Sequence, residues 1–135
     1  MATSWTEKLN DPRPHQVKPV LVDIAGMKAG EIMLVPTPRL IDAFIRVIPT
    51  GSAMDVPALR RELARRHGAQ VTCPITTGFH LRIVAEAAWE AHRQGADPVG
   101  ITPFWRVLDR RSPTTAKLSF GDAFLLERRR LEGLA

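Results

Sequence analysis

Cysteine and long apolar runs are scarce in this chain of 135 residues. Its one cysteine, Cys73, cannot form an internal disulfide, and such cysteine usage is typical of a reducing cytoplasm. No apolar run approaches the roughly 20 residues that span a bilayer, and the N-terminus lacks the basic and apolar regions of a secretory signal. These absences predict a cytoplasmic protein that does not insert into a membrane.

The residue clusters of catalytic and metal sites are missing as well. No metal-ligand cluster, paired carboxylates or phosphate-cradling glycine loop is found in the sequence. The histidines are scattered along the chain, at His15, His67, His80 and His92. We therefore predict no catalytic residue, no metal site and no cofactor.

The net charge of +5 is confined to one part of the chain. Residues 1–36 hold equal numbers of basic and acidic side chains, whereas residues 37–135 hold 15 basic and 10 acidic ones. Fourteen of those 15 bases are arginine, whose planar guanidinium suits phosphates and base edges. This pattern is compatible with a nucleic-acid partner and equally with the composition of an arginine-rich genome, and charge alone does not separate the two.

Prolines and glycines interrupt residues 1–36, which are too few to bury a core of their own. We expect an N-terminal arm over 1–36 that packs on a main domain formed by 37–135. Within the arm, a short helix is expected near Ser4–Leu9 with Ser4 or Thr6 as its cap, and the rest is expected to be extended, with a strand-like stretch at Glu31–Val35.

From Thr37 onward, apolar spacing predicts helices. The first follows Thr37-Pro38 and stops at Pro49, and the second runs from about Asp55 or Val56 to Gly68. A third, capped by Thr76 or Thr77 and ending near Gln94, is expected to bury Phe79, Ile83 and Val84 and to expose Arg82, Glu86 and Glu90. A short apolar strand (Phe104–Leu108), a basic turn (Asp109–Ser119) and a last helix (about Asp122 to Glu132, burying Leu131) follow. This order predicts a mainly α fold, a winged helix-turn-helix with a short strand and wing plus an extended N-terminal arm.

Several short motifs fall in the order in which one enzyme family has them. They are Ile48-Pro49-Thr50-Gly51, Leu59-Arg60-Arg61-Glu62-Leu63-Ala64, Arg82-Ile83-Val84-Ala85-Glu86-Ala87, Pro103-Phe104-Trp105-Arg106-Val107-Leu108, Lys117-Leu118 and Glu132-Gly133. Through them, residues 37–133 resemble the DNA-binding domain of the methylated-DNA–protein cysteine methyltransferases, the alkylguanine-DNA alkyltransferases. The resemblance implies a winged-helix fold and double-stranded DNA as a partner.

At the position of the family's reactive cysteine stands Phe104, and at that of its activating histidine stands Trp105. Neither side chain can accept an alkyl group or carry a proton, so we expect no alkyl transfer. The chain thus resembles the alkyltransferase-like proteins, in which the cysteine is replaced and the fold binds damaged DNA without repairing it. Phe104 and Trp105 either stack on an extruded base or fill the cavity that would receive it, and Arg106 is expected to belong to the framework.

The residues expected to contact DNA fall in two groups. Thr76, Thr77 and His80 open the third helix, where free amides attract phosphate, and Arg82 matches the arginine that relatives insert in place of an extruded base. In the wing, Arg110, Arg111 and Lys117 are expected at the DNA backbone. The alternative role of Thr76 or Thr77 is a helix cap, and that of Arg82 is an exposed helical arginine paired with Glu86. The alternative for the wing residues is an ordinary basic loop. The alternative function is a protein-interaction or scaffold module without DNA affinity, and the oligomeric state stays open.

Overall fold

The structure, a computed structural model, describes residues 3–134. The helices described there are α1 (Trp5–Leu9), α2 (Pro38–Arg46), α3 (Val56–Arg66), α4 (Pro74–Arg93) and α5 (Ala123–Leu131). The strands are β1 (Gln16–Pro19), β2 (Ile32–Val35) and β3 (Val71–Thr72), and short 3₁₀ turns lie at Pro98–Gly100, Phe104–Arg106 and Thr115–Lys117. The fold is therefore mainly helical with short strands, as the sequence predicts.

Local capping sets where most of the helices begin. The side chain of Thr37 accepts a hydrogen bond from the Leu40 amide, and that of Asp55 accepts one from Ala58, each just before a proline in the first helical turn. Ser4 caps α1 in the same way, by accepting from the Glu7 amide. The predicted starts of these three helices are confirmed.

The small sheet has the order β1-β2-β3, with β1 antiparallel to β2 and β2 parallel to β3. Two of its strands come from the N-terminal arm, and the third lies in the connection between α3 and α4. The sheet therefore fastens the arm to the main domain next to the start of α4.

The strand predicted at Phe104–Leu108 is wrong. The amides of Val107 and Leu108 both donate to the carbonyl of Phe104, at 3.1 and 2.9 Å, so the backbone closes on itself in a 3₁₀ turn. The predicted wing, residues 109–119, folds as turns around Thr115–Lys117 and holds no strand. The apolar run at 104–108 is explained by complete burial of a compact turn rather than by strand pairing.

The core lies between α2, α3, α4, α5 and the turn at 104–108, and its largest fully buried side chains are Trp105 and Phe104. Three burial predictions are wrong: Phe79 and Leu131 are exposed, at 66% and 56%, whereas Glu86 is buried. Within residues 3–134, no helix has the length and apolarity needed to cross a membrane.

Candidate nucleic-acid interface

A groove of about 700 Å³ lies between the first turns of α3, the first half of α4 and the loop 113–117. Its walls are largely apolar and include Pro57, Pro74, Pro113, Ile75 and Phe79. Three cations, Arg60, Arg82 and Lys117, line the same groove, and among the described residues that line it there is no acidic side chain. The groove therefore combines an apolar floor with a positive rim.

Arg82 is fixed in place by contacts on two sides. Its guanidinium carbon lies 5.2 Å from the centre of the Trp5 ring, a cation–π distance, and its Nε lies 3.7 Å from a carboxylate oxygen of Glu86. Glu86 is buried because Ser119 donates to it from both its amide, at 2.8 Å, and its hydroxyl. Glu86, which the sequence predicts to be exposed, is therefore buried, and its carboxylate lies beside Arg82.

The start of α4 differs from its prediction. The helix begins at Pro74 with Cys73 at the N-cap, so the predicted cap at Thr76 or Thr77 is wrong. Proline at the first helical position favours this earlier start. Thr77 is fully buried and donates to the Cys73 carbonyl at 2.7 Å, and the Thr76 hydroxyl donates to the Cys73 sulfur at 3.3 Å. The Thr77 side chain is therefore buried and hydrogen-bonded within α4, and it does not line the groove.

No side-chain hydrogen bond caps α4 among the residues that the structure describes. The first-turn amides of a helix carry partial positive charge and attract anions when a side chain does not satisfy them. Pro74 and Ile75, in this first turn, line the groove. The N-terminus of α4 therefore lies at the same groove as the three cations.

His80 lies away from the groove. It lines a separate cavity of about 390 Å³ together with Asp11, Arg13 and Pro36 of the arm. Burial lowers the pKa of the His80 imidazole, the nearby charge of Arg13 lowers it further, and Asp11 and the Pro36 backbone act in the opposite direction. A neutral imidazole facing the arm does not join Arg82 in one site, contrary to the grouping predicted from sequence.

The basic residues of the loop 109–119 are divided between two surfaces. Lys117 lines the groove beside α4, whereas Arg110 and Arg111 line a cavity of about 530 Å³ beside α5. The Asp109 carboxylate holds this turn by accepting from the amides of Arg111 and Ser112, at 2.8 and 2.9 Å. Only one of the three basic wing residues predicted to contact DNA therefore lies near Arg82.

Phe104 and Trp105 are 0% and 1% exposed. The Phe104 ring lies against the rings of Trp105, Phe120 and Phe124, with centroid distances of 5.4 to 6.2 Å. Phe104 and Trp105 stand at the sequence positions that correspond, by the resemblance, to the reactive cysteine and its histidine. Of the two alternatives that the sequence left open, the geometry matches the one in which the aromatic pair fills the cavity.

Behind the aromatic pair, Glu132 accepts hydrogen bonds from three segments of the chain. Trp105 Nε1 donates to it at 2.7 Å, Arg106 Nε at 2.9 Å and the Gly51 amide at 2.9 Å. Burial raises the pKa of the Glu132 carboxyl, but the bonds from Arg106, Gly51 and Trp105 outweigh it and lower the pKa to about 2. Arg106 also donates to the Ile48 carbonyl at 2.8 Å, so it holds the framework together, as predicted.

Sequence reasoning missed two residues of the groove. Arg60 was not among the predicted DNA contacts and Phe79 was expected in the core, yet both line the groove. Helical spacing contained the signal, because positions 75, 79 and 82 are separated by four and three residues and so share one face of α4. Phenylalanine is usually buried, and that general preference led to the wrong expectation for Phe79.

Among the described residues, no group of three or more His, Cys, Asp or Glu side chains is placed to hold a metal ion. Comparison with protein-family models, curated proteins and solved structures finds no match to this chain. The resemblance to the alkyltransferases therefore depends on the sequence motifs alone.

Proposed function

We propose that this chain is a non-catalytic DNA-binding protein, similar to the alkyltransferase-like proteins, that binds double-stranded DNA at the groove beside α4. The observation that carries the proposal is the groove itself, which Arg60, Arg82 and Lys117 line together without an acidic side chain among its described lining residues. The buried Glu86 pairs with Arg82 from outside that lining, so the net positive charge of the groove comes from Arg60 and Lys117. Phosphates bound there release counterions, which gives affinity without base contacts.

The order of the helices supports the same function. α3 and α4 are consecutive and joined by residues 67–73, and the N-terminal half of the longer helix α4 lines the groove. In helix-turn-helix proteins the second helix of such a pair enters the major groove through its N-terminal residues. We therefore assign α4 as the recognition helix. Lys117, in the loop that would form the wing, is assigned to contact the DNA backbone.

The proposal includes no alkyl-transfer step and no base pocket at 104–105. An alkyl acceptor needs an accessible nucleophile and a base to activate it. The side chains at those positions are buried hydrocarbon and an indole whose N–H is committed to Glu132. A role in DNA repair would accordingly consist of binding rather than chemistry.

The test is fluorescence anisotropy of a labelled duplex titrated with the protein at several salt concentrations. We expect affinity to fall steeply with salt, and Arg60→Gln to reduce the slope of log K against log salt by about 0.9, the value for one lost phosphate contact. The matched control is Arg61→Gln, because Arg61 is the next residue on α3, exposed and outside the groove. Absence of binding at low salt, or equal effects of the two variants, would overturn the proposal.

One observation favours a protein-interaction module as the second candidate. Leu21, Val22 and Ile24 are 87%, 64% and 48% exposed and border an apolar cavity of about 360 Å³. Contiguous exposed apolar surface of this kind is typical of protein interfaces. Self-association measured by analytical ultracentrifugation, lost in Leu21→Ser, together with no duplex binding at low salt, would favour this candidate.

A further inference from the structure

Phe79 is the one exposed phenylalanine or tryptophan among residues 3–134; the other phenylalanines and the three tryptophans are buried or half-buried. It is 66% exposed in the second turn of α4, and Ile75, one turn earlier, is 47% exposed. Both side chains lie in the groove. An aromatic ring left open to solvent at the floor of a groove offers a flat face to a ligand.

The surroundings of the ring are cationic. Arg60, Arg82 and Lys117 line the groove with Phe79. A nucleotide combines the two features that this arrangement complements, a flat apolar base and an anionic phosphate. The volume of about 700 Å³ lies within the range of small-ligand sites.

The ring face distinguishes unpaired from paired bases. In a duplex the two faces of each internal base are covered by its neighbours, so a protein ring stacks only on a base that has left the stack. Stacking of this kind tolerates any base, because every base has a π-face. A groove that combines Phe79 with three cations therefore recognises the absence of pairing rather than a sequence.

We propose that the groove binds an unpaired nucleobase on the ring of Phe79, with Arg60 and Lys117 on the flanking phosphates. This inference depends on the proposed function, since it requires nucleic-acid binding at the same groove. It assigns a preference to the protein: among DNA sites of equal length, those with an unpaired base are bound more tightly.

The experiment compares three labelled oligonucleotides of equal length at one salt concentration: a perfect duplex, a duplex with one unpaired extra base, and a single strand. We expect the wild-type protein to bind the duplex with the unpaired base on the order of tenfold more tightly than the perfect duplex. Phe79→Leu removes the ring but keeps an apolar side chain, so the ratio of the affinities for the two duplexes should fall from about tenfold to about one.

Two controls separate the possible failures. Ile75→Ala, an apolar truncation in the same groove, should keep the preference, and Arg60→Gln should weaken binding of all three probes alike. Because Phe79 is exposed, Phe79→Leu should melt at the wild-type temperature, which circular dichroism would verify.

Equal affinities of the wild-type protein for the three probes, or a preference that survives in Phe79→Leu, would overturn this inference while leaving duplex binding intact. No binding of any probe at low salt would overturn the proposed function as well. An acidic amphipathic peptide that binds in a Phe79-dependent manner while the oligonucleotides do not would assign the groove to a protein partner instead.

Discussion

Among the carboxyl groups whose pKa is lowered in the folded state, that of Glu132 is the one through which acid should destabilise this protein most. Its pKa in the folded state is about 2, below the ordinary value of 4.5. A group whose pKa is depressed by folding contributes stability above its unfolded pKa and loses it as the pH falls towards the folded pKa. The stabilisation is therefore complete above about pH 5 and declines between pH 4.5 and pH 2.

The size of the effect follows from the pKa difference. Lowering the pKa from 4.5 to about 2 corresponds to about 3 kcal/mol of stability at neutral pH. At pH 3 the unfolded chain is almost fully protonated at this position and the folded chain is not, so about 2 kcal/mol of that stabilisation is lost. The side chain is only 4% exposed, so solvent screens its contacts little.

The assay is urea unfolding followed by tryptophan fluorescence, for the wild type and Glu132→Gln at pH 7 and pH 3. The variant is less stable at pH 7, and the difference between the two proteins should narrow by about 2 kcal/mol at pH 3, because only the wild type loses the contribution of the carboxylate. Equal losses in the two proteins across this pH range would refute the reasoning.

Glu62→Gln is the matched control for this experiment. Hydrogen bonds from Arg65 and Arg66 also lower the pKa of Glu62 to about 2. These ion pairs lie on the surface of α3, and both arginines are exposed. Exposed ion pairs contribute little and are screened by salt. We therefore expect Glu62→Gln to follow the wild-type acid profile.

Three further predictions concern the core and the arm. Phe104→Ala should lower the free energy of unfolding by about 3 to 5 kcal/mol, measured in urea, because it leaves a cavity in the core; a loss below 1 kcal/mol would contradict the packing described. Thr77→Val should lower the free energy of unfolding by about 1 kcal/mol in the same assay, because it removes a hydrogen bond, and it should not change the affinity for DNA. Weaker DNA binding by this variant would show that Thr77 contributes to the interface. Glu90→Gln should speed hydrogen exchange in α1, because the carboxylate accepts from the Trp5 and Thr6 amides; unchanged exchange would show that these bonds do not hold the arm.

Helix positions in this chain were predictable because their signals are local. A cap such as Thr37 or Asp55 and the proline after it act within one turn, so the sequence contains the whole cause. The start of α4 was misplaced because two threonines resembled a cap while Pro74 already began the helix.

Which face of α4 is buried was harder to predict. Glu86 is buried because Ser119, 33 positions away, supplies its hydrogen bonds. Phe79 is exposed because the loop around Lys117 leaves a groove there. Both outcomes depend on contacts distant in sequence, which local periodicity does not contain.

The same limit applies to the candidate site. Arg82 and Lys117 were predicted as contacts from the resemblance, and the structure brings them to one groove, whereas it turns Thr77, His80, Arg110 and Arg111 elsewhere. Arg60 could be added only once α3 was known to pack beside the first half of α4.

The docking of α1 on α4 also bears on the order in which the chain folds. The hydrogen bond between the Trp5 amide and Glu90 joins residues 85 positions apart, and none of the five residues of α1 is buried. Closing so long a loop for so little buried surface is favourable only after α4 has formed. We expect α1 to assemble last and to open first when the protein is destabilised. Arg82, which lies over the Trp5 ring, would then change its surroundings before any core residue does.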